Sequence, residues 1–163
     1  MTTRIGYLIQ PMPTEVLAEV RRTGLDASGQ PPERLVAAGG EPLRCCLRDA
    51  TAGEPLLLFG YAPPIPAGPY REVGPVFAHD ADCPGPDGGT GYPADWRGRP
   101  QVLRAYDHRG RIVGGRLHDG GDPEGVISEL LVDPAVDRLH SRNVVYGCFM
   151  FLVARPRSRA SGA

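Results

Sequence analysis

The residues of this chain that can act as nucleophiles, proton carriers or soft metal ligands gather at three places. The first is Arg44-Cys45-Cys46-Leu47-Arg48. If this run is a strand, alternate side chains share a face, and Cys46 lies between Arg44 and Arg48. Cationic neighbours favour the thiolate, so Cys46 reads as a reactive or anion-contacting cysteine. The plainer reading is a pair of half-buried cysteines serving as small hydrophobes. Cys45 shares its face with Leu43 and Leu47 and reads as core.

The second place is Gly74-Pro75-Val76-Phe77-Ala78-His79, followed by Cys83. A His/Cys pair at a strand end has the chemistry of a base and a nucleophile. Half of a zinc site, which His140 or Cys148 would complete, is the weaker alternative, because two ligands at an irregular spacing are a poor metal signal. The plainer reading is a histidine bonded to loop backbone. The third place is His140-Ser141-Arg142-Asn143, which leads into Cys148. Arg142 can grip a carboxylate or phosphate with two parallel bonds, or cap the carbonyls of a preceding helix end. Cys148, after Gly147, reads as inert core, and His108 and His118 as exposed turn residues.

The elements that must position these groups follow from local signals. Arg4 to Ile9 reads as a strand, and a helix runs from Thr14 through Val16, Leu17 and Val20 to a stop at Gly24. A second short helix is expected from Pro32 to Ala38, and strands at Leu43–Asp49, Pro55–Tyr61 and Gly74–His79. Residues 80–100 form a long Gly/Pro/Asp-rich loop, a lid or a plain insertion, anchored by Trp96. Gln101 to Leu117 reads as a β-hairpin with the three-residue loop His108-Arg109-Gly110, which sets Asp107 across from Arg111. Its register places Leu103, Ala105, Val113 and Leu117 on an apolar face. Val102, Arg104, Tyr106, Ile112 and Arg116 lie on the other, with Arg104 opposite Gly114. Asp122-Pro123 caps a helix that reaches about Leu131, with Val126, Ile127, Leu130 and Leu131 inward. Asp133-Pro134 starts a second short helix, and Val144–Ala154 reads as a doubly covered central strand.

Composition narrows the function. The chain has 163 residues, the size of one domain. All 18 basic residues are arginine, which removes Schiff-base chemistry and a Walker-type phosphate loop, both of which need lysine. The run Gly88-Gly89-Thr90-Gly91 is therefore only a loop. A net charge of −1 argues against a nucleic-acid partner. The longest apolar run is too short to cross a bilayer, and no export signal is visible, so the expected setting is cytoplasmic, with reduced thiols. The sequence has no Cys-x-x-Cys pair, no Gly-x-Ser-x-Gly elbow, no His-Glu-x-x-His and no paired carboxylates of glycosidase type.

A set of short motifs resembles a small bacterial family known only as a domain of unknown function. They are Cys46-Leu47-Arg48, Gly53 to Leu58, Pro69-Tyr70-Arg71, Gly74-Pro75-Val76-Phe77 with His79 and Cys83, Leu103 to Tyr106, His140 to Asn143, and Tyr146-Gly147-Cys148. The resemblance implies a single domain over most of the chain and brings no catalytic assignment.

These readings combine into an α+β domain over residues 1–155, with a disordered basic tail at 156–163. Its sheet is expected to be mixed and mostly antiparallel, with helices mainly on one face. The leading functional expectation is an enzyme that handles a small anionic substrate in an Arg/His/Cys pocket. Arg48, Arg104, Arg142, Asn143 and Tyr106 would bind the substrate, His79 or His140 would move protons, and Cys46 or Cys83 would attack. No metal and no organic cofactor is assigned, and the chain either stands alone or forms a homo-oligomer. Two alternatives stand beside this reading. One is an accessory domain that presents Tyr92 and Trp96 to a protein partner. The other is a thiol or metal sensor.

Overall fold

Leu8–Gln10 (β1) and the helix Thr14–Thr23 (α1) open the fold, in a computed structural model that describes residues 5–87, 89 and 91–157. Arg4 of the expected first strand, Gly88 and Thr90 of the glycine run, and residues 158–163 of the expected tail lie outside the described residues. Leu17 and Val20 turn α1 onto the core, and Gly24 ends it in the left-handed conformation, with its N–H on the Val20 carbonyl. The remaining strands are Glu33–Val36 (β2), Pro42–Leu43 (β3), Arg48–Asp49 (β4), Pro55–Tyr61 (β5), Gly74–His79 (β6), Gln101–Tyr106 (β7), Ile112–His118 (β8), Arg138–Asn143 (β9) and Phe149–Ala154 (β10). The second helix, Pro123–Leu131 (α2), precedes β9.

The strands form two five-stranded sheets, in the orders β1-β10-β9-β7-β8 and β2-β5-β6-β3-β4. All pairings are antiparallel except β3 with β6. The architecture is therefore mostly β and, as expected, mostly antiparallel, but it has two sheets where one was expected. Phe149 and Leu152 of the first sheet pack into the apolar cluster of the second, which holds Leu56, Phe59, Tyr61 and Val76. Tyr61 and Phe149 meet at 5.6 Å between ring centroids. The other cluster gathers Leu103, Ile127, Leu131, Leu139, Phe151 and Trp96, with Val126 and Leu130 partly buried against it.

Four segments depart from the local reading. Residues 33–36 are a strand and not a helix, because they complete the open edge of β5, with Glu33 opposite Leu58 and Val36 opposite Pro55. Pairing with a neighbour outweighs weak local helix preference. Residues 43–49 do not continue as one strand: Leu47 takes a positive φ of 56° and its N–H returns to the Leu43 carbonyl, which folds Arg44 to Leu47 into a turn. After Asp133 there is one turn and not a helix, since the Asp137 N–H is taken by the Tyr106 carbonyl of β7 and β9 begins there. The apolar run at 144–148 is a hairpin turn. The Asn143 Oδ1 accepts the N–H groups of Val145 and Tyr146, and Gly147 takes φ 73°. Val145 and Tyr146 are consequently exposed.

The β7–β8 hairpin keeps its tight loop, with the Asp107 N–H on the Arg111 carbonyl. A bulge beside Tyr106 then shifts the register by one, so Arg104 faces Gly115 and not Gly114. Val113 and Leu117 are turned to solvent, while Leu103, Ala105 and Tyr106 are buried. The helix α2 begins as read: the Asp122 carboxylate accepts the Gly125 N–H, with Pro123 in the first turn. Its far end is capped by Arg155, which donates to the Leu131 and Asp133 carbonyls. His118 is buried, contrary to the exposed turn position expected for it.

Candidate metal centre

Three segments bring the site together. The turn between β3 and β4 supplies Cys45 and Cys46, β6 ends in His79, and the loop after β6 supplies Cys83. The parallel pairing of Leu43 with Phe77 holds the turn beside β6, and the Arg44 N–H donates to the Phe77 carbonyl at 2.9 Å. The start of the loop is tied down by Arg21, which donates to the Asp80 carbonyl and pairs with Asp82, and by Arg34 on the Asp80 carboxylate. Farther along, Trp96 is fully buried, stacks on Phe151 and donates to Asp49 Oδ1 at 2.9 Å. Asp49 also pairs with Arg99, and its N–H is received by Asp95. The loop is therefore pinned at both ends over the cysteine turn.

Cys45 Sγ lies 3.4 Å from His79 Nδ1 and Cys46 Sγ lies 3.9 Å from it. With Cys83, one ligand atom from each of the four residues lies within 4.8 Å of every other. The opposite ring nitrogen of His79, Nε2, faces two groups of contrary character: Glu54 Oε1 at 3.3 Å and Arg48 Nη2 at 3.0 Å. Arg48 and Glu54 are themselves doubly bonded, at 3.0 and 2.6 Å. This pair serves either tautomer of the ring. With the proton on Nε2, the ring donates to Glu54 and presents the bare Nδ1 to the sulfurs. With the proton on Nδ1, it donates towards the sulfurs and accepts from Arg48.

The electrostatics favour charge at this place. The hydrogen bond from Cys46 holds the Cys45 thiol well below the ordinary thiol range, against the opposing cost of burial, and the His79 N–H at 3.4 Å helps. The same bond, with burial, pushes Cys46 up: one proton is shared and Cys45 carries the charge. Cys83 is raised by burial. Glu54 is lowered to about 2, first by its bonds to Arg48 and then by the Thr51 N–H. A cavity of about 410 Å³ opens over the cluster, walled by Cys46, Arg48, His79, Cys83, Tyr92 and Asp95 among others.

Of the residues singled out in the sequence, Cys46, Arg48, His79 and Cys83 meet here. The partners that join His79 and Cys83 are Cys45 and Cys46, and not His140 or Cys148. Cys45 is buried, yet it touches the histidine instead of serving as inert filling. Glu54 lies within the Gly53 to Leu58 motif, but that motif gave it no role, and only its position beside Arg48 and His79 identifies one. A doublet of cysteines together with a His-x-x-x-Cys run, four soft ligands in one short chain, was the available signal.

The other predicted residues gather elsewhere. Arg104 and Arg142 both bind Glu72, and Arg142 also donates to the Gly147 carbonyl. His140 is buried between Tyr106 and Phe149, with Nε2 3.3 Å from the Pro64 carbonyl, and burial lowers it to about 3. At neutral pH it is an uncharged packing residue. Asn143 caps the β9–β10 turn, as described above. Arg142 lines a different, smaller cavity of about 160 Å³ with Glu72 and Tyr61. Tyr92 and Trp96, the aromatic surface of the partner reading, are both buried.

Two packed, mostly antiparallel sheets with a Cys/His cluster at one turn define the class: a β-rich protein with a cysteine-rich polar site. The chain belongs to the family described as "Protein of unknown function (DUF1203)", whose family model matches residues 40–155 and so includes every residue of the cluster. No curated protein and no solved structure matches the chain. Among the described residues, no helix is long and apolar enough to cross a membrane.

Proposed function

We propose that this is a metal-binding protein that holds one thiophilic divalent ion, zinc first, through Cys45, Cys46, His79 and Cys83. The observation that carries this reading is the convergence of four soft ligand atoms, from three chain segments, within 4.8 Å of one another. Around tetrahedral zinc, Zn–S near 2.3 Å and Zn–N near 2.0 Å put neighbouring ligand atoms roughly 3.5–3.8 Å apart. The two Sγ–Nδ1 separations, 3.4 and 3.9 Å, bracket that span. Three thiolates and an imidazole select zinc-class ions over magnesium or calcium. Glu54 behind Nε2 has the position of the outer carboxylate that fixes a ligating histidine's tautomer and orientation.

Four protein ligands make a closed coordination shell, which favours a structural or sensing ion over one that activates water. Because Cys83 belongs to the loop that walls the cavity, ion occupancy is coupled to the shape of that cavity. The protein thereby becomes a metal-responsive one. A second reading, an enzyme acting on a small anion, is favoured by the cavity itself, which brings Cys46, Cys83 and Arg48 to one surface. Against it, Arg48 is already neutralised by Glu54.

Cobalt substitution tests the primary reading. Protein reduced and handled without oxygen, then loaded with Co²⁺, is expected to take up one ion per chain. It should show thiolate-to-cobalt charge-transfer absorption together with the intense visible bands of a tetrahedral site. Zinc should displace the cobalt, and His79→Ala and Cys83→Ser should weaken the spectrum. Octahedral-type spectra, or bands unchanged in both variants, would overturn the assignment.

A further inference from the structure

On the other side of the cysteine turn, Arg44 is 2% exposed, yet no carboxylate pairs with it among the described residues. Its Nε donates to the Phe149 carbonyl at 2.7 Å and its Nη1 to the Pro42 carbonyl. Those bonds tie the two sheets together but bring no formal negative charge. Nη2 keeps its N–H groups without a partner among the described residues. A buried cation that lacks a counter-ion is costly, and such groups are ordinarily paired.

Arg44 lines a cavity of about 280 Å³. Leu58, Phe77, Pro75 and Met150 give this cavity apolar walls, and Cys148 lies beside the arginine. The one other charged lining residue is Arg99, already held by Asp49, and the lining contains no aspartate or glutamate. A neutral apolar ligand would leave the arginine uncompensated. A polyanion would meet too few donors and too much hydrocarbon.

We propose that this cavity is a binding site for a small monocarboxylate with an apolar body, whose carboxylate is received by Arg44 Nη2 and whose hydrocarbon part lies against Leu58, Phe77 and Met150. Arginine suits the role because its planar N–H groups match carboxylate geometry, and a mostly apolar pocket with few polar groups is the usual form of a small-molecule site. The site shares no lining residue with the cavity over Cys46 and His79, so it stands whether or not the metal assignment does.

The test uses the full chain, with hexanoate and benzoate as probes and hexanamide, benzamide and inorganic phosphate as controls, followed by calorimetry and by amide chemical shifts. Saturable binding of a carboxylate probe is expected, with shifts concentrated at Phe77, Gln101 and Cys148. The matching amide should bind at least about tenfold more weakly, since a hydrogen bond to a charged group is lost. Arg44→Met should show the same loss, and Arg44→Lys should recover part of it. Amides or phosphate binding as tightly as the carboxylates would overturn the proposal. So would the absence of saturable binding, or shifts concentrated around Glu54 and His79. If Arg44→Met does not fold, the amide comparison and the shift map on the wild-type chain decide by themselves. The same titration after chelation of metal should give the same affinity, which separates this site from the metal centre.

Discussion

Adding zinc to the reduced, chelator-stripped protein should raise its melting temperature, and the size of the rise follows from how the site is built. Cys45 and His79 lie 34 positions apart in the chain and Cys46 and His79 lie 33 apart. The unfolded chain therefore offers at best scattered partial ligand sets, and the ion binds the native state preferentially. With free zinc at a thousand times the dissociation constant, such linkage stabilises the fold by about 4.1 kcal/mol. For a chain of 163 residues, each kcal/mol moves the melting temperature by roughly 2–4 °C, so the expected rise is about 8–16 °C. Differential scanning calorimetry with zinc and again with excess chelator measures it. Cys83→Ser removes one thiolate and should shrink the rise to well under half, whereas Cys148→Ser, whose sulfur is outside the cluster, should leave it whole. A rise below about 2 °C in the wild type, or a full rise in Cys83→Ser that Cys148→Ser abolishes, would refute the reasoning.

Four further outcomes are expected. Glu54→Gln removes the carboxylate behind His79 but no ligand, so zinc affinity should fall by about 10–100-fold while the cobalt spectrum keeps its tetrahedral form; competition with a chromophoric chelator measures this. Glu54 is also depressed to about 2 from 4.5; its contribution to stability is complete above about pH 4.5 and is lost as pH falls towards 2. The denaturation curves of wild type and Glu54→Gln should accordingly converge in that range. His140 has the same direction of shift, to about 3 from 6.5, but the opposite charge type: the unfolded chain takes up its proton first, so wild-type stability should fall as pH drops from about 6.5. In His140→Phe that part of the slope between about pH 6.5 and 4.5 should be missing in urea titrations. Trp96→Ala empties a fully buried site against Phe151 and should cost about 3–5 kcal/mol, read by circular dichroism in denaturant; a loss under about 1 kcal/mol would mean that the loop anchor is not where the packing puts it.

Much of the fold was legible because its signals are local. The strands Pro55–Tyr61 and Gly74–His79 coincide with their apolar runs. Gly24 and the Asp122-Pro123 pair mark the ends of α1 and α2 where the helices in fact stop and start. The misread segments share a cause. At 33–36 the partner strand decided the conformation, at 43–49 a left-handed Leu47 broke an apparent alternation, and at 144–148 one asparagine side chain turned an apolar run into a hairpin. The hairpin bulge at Tyr106 likewise exposed Val113 and Leu117, which alternation had assigned to the core.

Residue chemistry alone determined that this chain cannot use lysine, that its soft ligands are few, and that His79, Cys83 and Cys46 deserved attention. Only the tertiary structure decided that Cys45 joins them and that Arg104 and Arg142 go instead to Glu72. The physical reason is that the site hangs on a non-local event, the parallel registration of Leu43 with Phe77. Composition and spacing report what each side chain is able to do. Which side chains become neighbours depends on strand pairing between distant stretches, and on a turn whose backbone angle no alternation pattern contains.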